Sequence, residues 1–414
     1  MIKGKLVYWG FIKDPIYGYI NITEEDKKLI DTPFFQRLRR VRQVPLIDYV
    51  YPSAVHTRFE HSLGVAHLAM NIMANLPIEI DEYEAKMIRS ASLLHDIGHG
   101  PFSHLFEVIL IKYFGLNHEQ VGREIIIRSE ISDILNDIGL NPKDIGNLIT
   151  GEAFSFKKYL QQIVKSGIDA DKLDFIKRDN FHSGAGYGNI DIDRLVNTME
   201  IYEENLAINM TALHTFELFL LARVKSFEAM YFHRTLRIAQ LMLLRALEKF
   251  IEKNGFPTKL ELDEYLKLDD MRLWIKLAED DSSKDIMKRL ERRDLIKEAF
   301  EKKFLSKESL NNIAKELENI KNSIVSRVNI REDDLYIDLS ILPSVPYHGA
   351  YSYDPFEIPV VKVEGSTKVK YSLTELSPWV ESIKGYLNIV RIYTENKYRI
   401  KVEEVCKKLF KDFP

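Results

Sequence analysis

Histidine and aspartate recur in this 414-residue chain at spacings that suit a divalent cation. His61 stands alone, the adjacent pair His95-Asp96 follows, and Asp169-Ala-Asp171 marks an acidic helix start further on. The run His95-Asp96-Ile-Gly-His99-Gly-Pro-Phe-Ser-His104 holds three of the chain's eleven histidines. Two neutral imidazoles (His61 and His95) and two carboxylates (Asp96 and Asp171) would neutralise one divalent ion and leave room for a water and a phosphate oxygen. Such an ion would acidify the water and polarise a phosphoryl group. Mixed histidine and carboxylate donors suit Mn, Fe, Co, Ni or Zn better than Ca, and Mg stays in the candidate set. A metal-dependent hydrolase is the expected class. A lone histidine on an apolar helix face is usually a satisfied core residue. Here glycines stop the helix directly after His95-Asp96, and two more histidines follow where packing does not call for them.

His99, His104 and His118 are too many to ligate one ion that keeps an open position. They suit roles as acids, bases or donors to phosphate oxygens. Glu107, three residues past His104, and Glu119, next to His118, could each orient a histidine and raise its pKa.

The elements that must position these groups are mostly helical. Residues 4–22 alternate around Gly10 and Gly18 as a small hairpin would. Thr23-Glu-Glu-Asp26 reads as a capping box, and Asp31-Thr-Pro33 opens a second helix. Leu63, Ala66, Met70 and Met73 repeat at helical steps, as do Ala85, Ile88, Ser92 and His95, so His95 falls on a buried face at a helix end. Residues 119–136 and 170–180 read as further helices, and a long one, broken or not, covers 211–252. Residues 256–330 are charged and read as exposed helices. Tyr336–Leu342, Glu357–Val363, Lys368–Ser372 and Leu387–Tyr393 read as strands, followed by a last helix over 400–411. The expected fold is mainly α: a helical body over 1–250 with an N-terminal hairpin, a charged helical extension over 251–330, and a small α+β unit over 331–414.

Composition sets limits. Apolar residues at 45% and charged residues at 29% are those of a soluble globular protein. A net charge of -4 gives no global basic field to hold nucleic acid. One cysteine, Cys406, excludes an intrachain disulfide and a cysteine-based zinc site, and fits a reducing cytoplasm. The N-terminus lacks the apolar core of a signal peptide, and the apolar stretch near Leu218–Leu221 is too short to span a bilayer.

The run from His95 to His104 closely resembles the signature of HD-domain phosphohydrolases. It is most similar to the deoxynucleoside triphosphate triphosphohydrolase branch, which includes bacterial dGTPases and the sterile-alpha-motif/HD dNTPase. The resemblance extends to Asp31-Thr-Pro-Phe-Phe-Gln36-Arg-Leu-Arg39 and His56-Thr-Arg58-Phe-Glu-His61-Ser-Leu-Gly. It takes in Asn117-His118-Glu119-Gln120 and Gly167-Ile-Asp-Ala-Asp171-Lys172-Leu-Asp174-Phe175, and it covers roughly residues 1–245. It implies an HD-type helical body and hydrolysis of deoxynucleoside triphosphates at the α-phosphate, to deoxynucleoside and triphosphate. By that resemblance His61, His95, Asp96 and Asp171 are the metal ligands, in agreement with the charge argument. His104 and His118 match the family's catalytic histidines.

The same resemblance assigns Arg58, Lys172 and Arg223 to phosphate and Gln43 to the sugar. Asp171, Phe175 and Asp179 fall on one helix face, and Arg223, Phe227 and Tyr231 on another. The family places a deoxyribose between such faces, with Asp179 accepting from the 3′-hydroxyl and Tyr231 against C2′. Two positions depart from the pattern: Phe175 stands where eukaryotic dNTPases carry tyrosine, and Phe227 replaces a histidine. Asp31, Gln36 and Arg39 match guanine-reading positions of an activating nucleotide site; a plain helix start with solvated arginines at Arg37, Arg39, Arg40 and Arg42 is the other reading. Relatives form dimers, tetramers or hexamers, so a homo-oligomer is expected. Two other functions stay open: a phosphohydrolase acting on a nucleoside mono- or diphosphate, and a non-catalytic nucleotide-binding protein.

Overall fold

The structure, a computed structural model, describes residues 7–153, 156–305, 310–342, 357–383 and 387–411. Residues 4–6 of the expected hairpin lie outside them. The strands in chain order are β1 (Tyr8–Asp14), β2 (Gly18–Thr23), β3 (Met199–Tyr202), β4 (Asn205–Asn209), β5 (Lys297–Leu305), β6 (Leu335–Leu342), β7 (Val360–Glu364), β8 (Thr367–Tyr371) and β9 (Leu387–Thr394). Helices make up most of the remainder. The chain forms two compact units interleaved along the sequence.

The first unit comprises Met1–Ser226, Gly255–Lys276 and Val345–Val380. It opens on the antiparallel β1–β2 hairpin. Its centre is the Arg58–Asn75 helix, which packs against the Glu82–Leu94 and Ala170–Ser183 helices. Three helix starts are fixed by reciprocal caps: Thr57 with Glu60, Asp81 with Glu84, and Asn117 with Gln120. Each satisfies two backbone donors that a helix N-terminus leaves unpaired. Thr23 with Asp26 caps the Glu24–Ile30 helix as the sequence suggests.

The stretch read as one helix over 119–136 breaks at Ser129, whose hydroxyl accepts from the Ile131 amide and starts a second helix at Glu130. The stretch read as mostly helical to 250 also contains the β3–β4 hairpin. Strand β4 pairs in parallel with β7, Ile208 opposite Val360, giving the sheet order β3-β4-β7-β8. Part of the C-terminal α+β region is thus built into this unit.

The second unit comprises Phe227–Asn254, Leu277–Ser344 and Glu381–Pro414. Its sheet runs β5-β9-β6, all antiparallel. Strand β5 lies within the region expected to be helical. Ile313, Ile324, Leu335, Val390, Ile392, Val402 and Cys406 join the sheet to the Leu310–Val328 and Arg399–Leu409 helices in one apolar core. The long helix expected over 211–252 is interrupted: an α-helix ends at Ser226, a π-helical turn covers Phe227–Tyr231, and a new helix starts at Arg234. The wider turn breaks the helical step that placed Arg223, Phe227 and Tyr231 on one face. Among the described residues no helix is long and apolar enough to cross a membrane.

Candidate metal centre and active site

Four helix ends and loops of the first unit bring the expected ligands together. His61 lies in the first turn of the Arg58–Asn75 helix. His95 caps the C-terminus of the Glu82–Leu94 helix, Asp96 follows it, and Asp171 sits in the first turn of the Ala170–Ser183 helix. His61 Nε2 is 3.1 Å from Asp171 Oδ1, 3.3 Å from His95 Nε2 and 3.6 Å from Asp96 Oδ2. His95 Nε2 is 3.4 Å from Asp96 Oδ1 and 3.8 Å from Asp171 Oδ1. Donors about 2.1 Å from one ion lie about 3.0–3.4 Å apart in octahedral or tetrahedral arrangements. The observed spacings centre on that range.

Both imidazoles present the correct nitrogen. His95 Nδ1 donates to the Ser92 carbonyl at 2.8 Å. His61 Nδ1 lies 2.8 Å from Asp174 Oδ2. Those partners occupy each Nδ1 and turn each Nε2 toward the cluster, the nitrogen that would take a metal once its proton is displaced. Burial opposes protonation of His61, but Asp171 and Asp174 outweigh it and raise its pKa to about 10. That affinity for a proton reflects an excess of negative charge that a divalent cation would neutralise. The donor set therefore fits a divalent metal, and one of its members, Asp171, is partly exposed.

Asp174 falls within the Gly167–Phe175 motif, and the sequence alone assigns it no role. It also receives two hydrogen bonds from Arg178, at 2.8 and 3.0 Å, and Arg178 pairs with Asp14 at 2.8 Å. Burial raises the Asp174 carboxyl, but Arg178 and His61 hold it well below the usual carboxylate range. Gly64 makes room for this pair: a Cβ there would lie 2.0 Å from Asp174 Oδ1.

Beside the metal cluster stand the other histidines. The His99 and His118 rings stack at 3.8 Å, and His104 meets both edge-on at 4.8 and 5.3 Å. Glu107 holds two of them: Oε1 is 2.5 Å from His118 Nδ1 and Oε2 is 3.1 Å from His104 Nδ1. Its Oε1 also accepts from the His118 backbone amide at 3.1 Å. Burial works against a charged His118, yet Glu107 raises its pKa. Burial and the Arg58 charge keep His99 neutral, well below its ordinary value. The arrangement depends on Gly98, where a Cβ would lie 2.0 Å from the His118 carbonyl oxygen and 2.2 Å from the Gly122 nitrogen. Glu119, the second carboxylate expected to orient a histidine, pairs with Lys165 at 2.6 Å; Glu107 makes both histidine bonds.

Arg58 joins the cluster directly, with Nη1 2.5 Å from Asp96 Oδ2 and Nε donating to Ser103 Oγ at 2.7 Å. Lys172 is buried and bonded to Asp169 at 2.6 Å, with Asp171 4.0 Å away. Gln43 is buried, and its side-chain oxygen finds no hydrogen-bond partner among the described residues. Asp179 meets His56 Nε2 at 2.6 Å, and the His56 ring stacks on His182 at 4.5 Å. His56 carried no prior role; its place in the His56-Thr-Arg58 motif was the available signal. Phe175 is half-buried on the helix that carries Asp171 and Asp179, and Arg223 is buried in the last turn of Leu213–Ser226. Phe227 and Tyr231 belong to the second unit, where their rings meet edge-on at 4.9 Å.

The candidate activator residues have local partners. Asp31 ends the Glu24–Ile30 helix and is exposed. The Gln36 amide donates to the Ile30 carbonyl at 2.9 Å and accepts from Arg39 Nε at 2.9 Å. Arg39 also lies 3.5 Å over the Phe59 ring. Arg37, read as a solvated arginine, is fully buried and donates to the carbonyls of Ile97, His99 and Leu268 at 3.0, 2.7 and 3.0 Å.

Residues 58–179 match the HD domain family, and residues 190–411 match the HD associated region. An uncharacterised protein of Methanocaldococcus jannaschii is 31% identical over 393 residues, covering 90% of this chain and 76% of that protein. The human deoxynucleoside triphosphate triphosphohydrolase SAMHD1 is 29% identical over 387 residues, covering 79% of this chain and 62% of that protein. A crystal structure of a hypothetical protein from Aquifex aeolicus superposes with a TM-score of 0.78 at 27% identity, over 95% of this chain and 99% of that one. The chain belongs to the HD-domain phosphohydrolase superfamily, near its deoxynucleoside triphosphate triphosphohydrolase branch.

Proposed function

We propose that the protein hydrolyses deoxynucleoside triphosphates at the α-phosphate, releasing deoxynucleoside and triphosphate. The observation that carries the reading is the adjacency of two clusters, the His61-His95-Asp96-Asp171 donor set and the Glu107-held histidines, His104 and His118, joined by His99, whose Nε2 lies 3.3 Å from Asp96 Oδ1. A cation held by the four donors supplies Lewis acidity toward a phosphoryl oxygen and toward water. His118, whose proton affinity Glu107 raises, and the exposed His104 are placed to give a proton to the leaving oxygen. His99 stays neutral and stacks on His118. Arg58, Lys172 and Arg223 supply positive charge for the triphosphate, and the unpartnered Gln43 oxygen is available to a sugar hydroxyl. Asp179 would accept from the 3′-hydroxyl while held by His56, and Phe175, on the same helix, would line the sugar. Glu119, next to His118 in sequence, is paired with Lys165.

The family resemblance also supports a cytoplasmic homo-oligomer, a metal such as manganese, and activation by a nucleotide at Asp31, Gln36 and Arg39. Phe175 and Phe227, which lack the polar groups of the family pattern, favour a second reading within the same class: a phosphohydrolase for a nucleoside mono- or diphosphate.

One assay separates the two. Metal-loaded protein is incubated with each dNTP and NTP, with and without added dGTP, and the products are resolved. Tripolyphosphate from dNTPs supports the first reading. Orthophosphate or pyrophosphate supports the second, and no turnover with any metal sinks both. Asp96→Ala, folded but lacking a ligand, should show no turnover.

A further inference from the structure

Two consecutive residues other than glycine adopt positive φ directly before His104: Phe102 at 58° and Ser103 at 51°. Such backbone persists only where the surroundings over-determine it, and it concentrates where a side chain must be aimed. Ser103 Oγ donates to the Arg42 carbonyl at 2.6 Å and accepts from Arg58 Nε at 2.7 Å. The Phe102 amide donates to Asp270 Oδ1 at 2.7 Å, and the Arg42 amide donates to Asp270 Oδ2 at 3.0 Å. Asp270 comes from a segment 168 residues beyond Phe102. The same segment reaches the preceding loop through the Tyr265 hydroxyl, which donates to the Gly98 carbonyl at 2.7 Å. Leu268 adds its carbonyl to the bonds of Arg37, which also ties down Ile97 and His99.

The Asp270 carboxylate is buried, and its two side-chain hydrogen bonds are to backbone amides. Burial pushes its pKa up to about 6, against the two amides and the nearby Arg42 charge, with Asp269 pushing the same way as burial. The buried Arg37 also interacts with it. A buried anion in this position is costly. It has one advantage over an amide side chain: both oxygens accept, so it alone can hold both N–H groups at once.

We propose that Asp270 is a positioning residue for the phosphohydrolase reaction, locking the Phe102–Ser103 turn and thereby fixing where His104 stands beside the metal donors. The kinetic part rests on the functional reading above.

The test uses the full chain, metal-loaded, at temperatures where each variant is folded. Asp270→Asn keeps the shape but loses one acceptor, and Asp270→Ala loses both. Turnover should fall about 10–100-fold with KM for the dNTP and bound metal unchanged, the size expected of a misaimed catalytic group. Amide hydrogen exchange reads positioning without turnover: the Phe102 amide should be slow in the wild type and at least tenfold faster in Asp270→Ala. A turnover within twofold of wild type in Asp270→Asn overturns the proposal, as does a loss matched by loss of metal. Fast exchange at Phe102 in the wild type overturns it with no variant required. A wild type that releases no triphosphate defeats the nucleotide reading alone, and exchange then decides the role of Asp270.

Discussion

The Asp174 carboxylate sits 2.8 Å from His61 Nδ1, on the side of the ring away from the other metal donors. A carboxylate can only accept, so Nδ1 keeps its proton and Nε2 is the nitrogen left to a metal. The partner that sets this tautomer is itself held by Arg178, Asp14 and the space left at Gly64. Asp174→Asn should therefore weaken metal binding about 10–100-fold. It should also cost stability, about 3 kcal/mol, because Arg178 is fully buried and keeps only part of its compensation. Metal titration and thermal unfolding of the apo-protein check the two effects separately.

Gly98→Ala should be more damaging than its size implies. The new methyl would meet the backbone of His118 and Gly122, and neither can turn aside as a side chain can. Loss of several kcal/mol is expected, of the order of 3. Thermal unfolding reads the cost, and turnover of the surviving fold should fall because the His99–His118 stack separates. An alanine variant as stable and active as wild type would contradict this packing.

Glu107→Gln should change the pH dependence in a defined direction. The folded pKa of His118 is raised above 6.5, so its contribution to stability is full below that value and is lost as pH rises through the folded pKa. For Glu107, burial raises the pKa, but His118 and His104 bring it far below 4.5; that contribution is present above 4.5 and is lost as pH falls. The pair thus stabilises most between about 4.5 and 6.5. The variant should flatten the melting temperature across that window. It should also move the alkaline limb of the kcat profile to lower pH, since His118 would give up its proton sooner. An unmoved limb would remove His118 as the proton donor.

Chelation should abolish turnover and lower the melting temperature, and a divalent ion should restore both. At a free metal concentration one hundred times Kd the stabilisation is about 2.7 kcal/mol. The Asp96→Ala protein should show neither loss nor recovery on the same treatment.

The candidate metal donors could be nominated from the sequence because residue type and a glycine stop are local facts, and the structure brings those side chains together. His61, His95, Asp96 and Asp171 could be named without knowing what lay between them. Their supports were not legible in this way. Asp174, Arg37 and Asp270 have roles only because distant backbone or side chains arrive beside them, and an arginine in a basic run reads as solvated until its carbonyl partners are known. Strand β5, Lys-Glu-Ala-Phe-Glu-Lys-Lys-Phe-Leu, was hidden by its charge. It is an edge strand, where lysine and glutamate are ordinary, and its pairing with β9 decides its conformation. Strands β3 and β4 are four and five residues long, too short for periodicity to separate from their helical surroundings.

The parallel pairing of Ile208 with Val360 has a consequence for biosynthesis. On the ribosome the metal-donor helices emerge early, but β4 must wait for some 150 further residues before its neighbour exists. Until then it offers an open row of amides and carbonyls to any passing chain. The sheet that holds β4 is accordingly completed late in synthesis, and nascent-chain chaperones should engage the chain between the synthesis of β4 and that of β7.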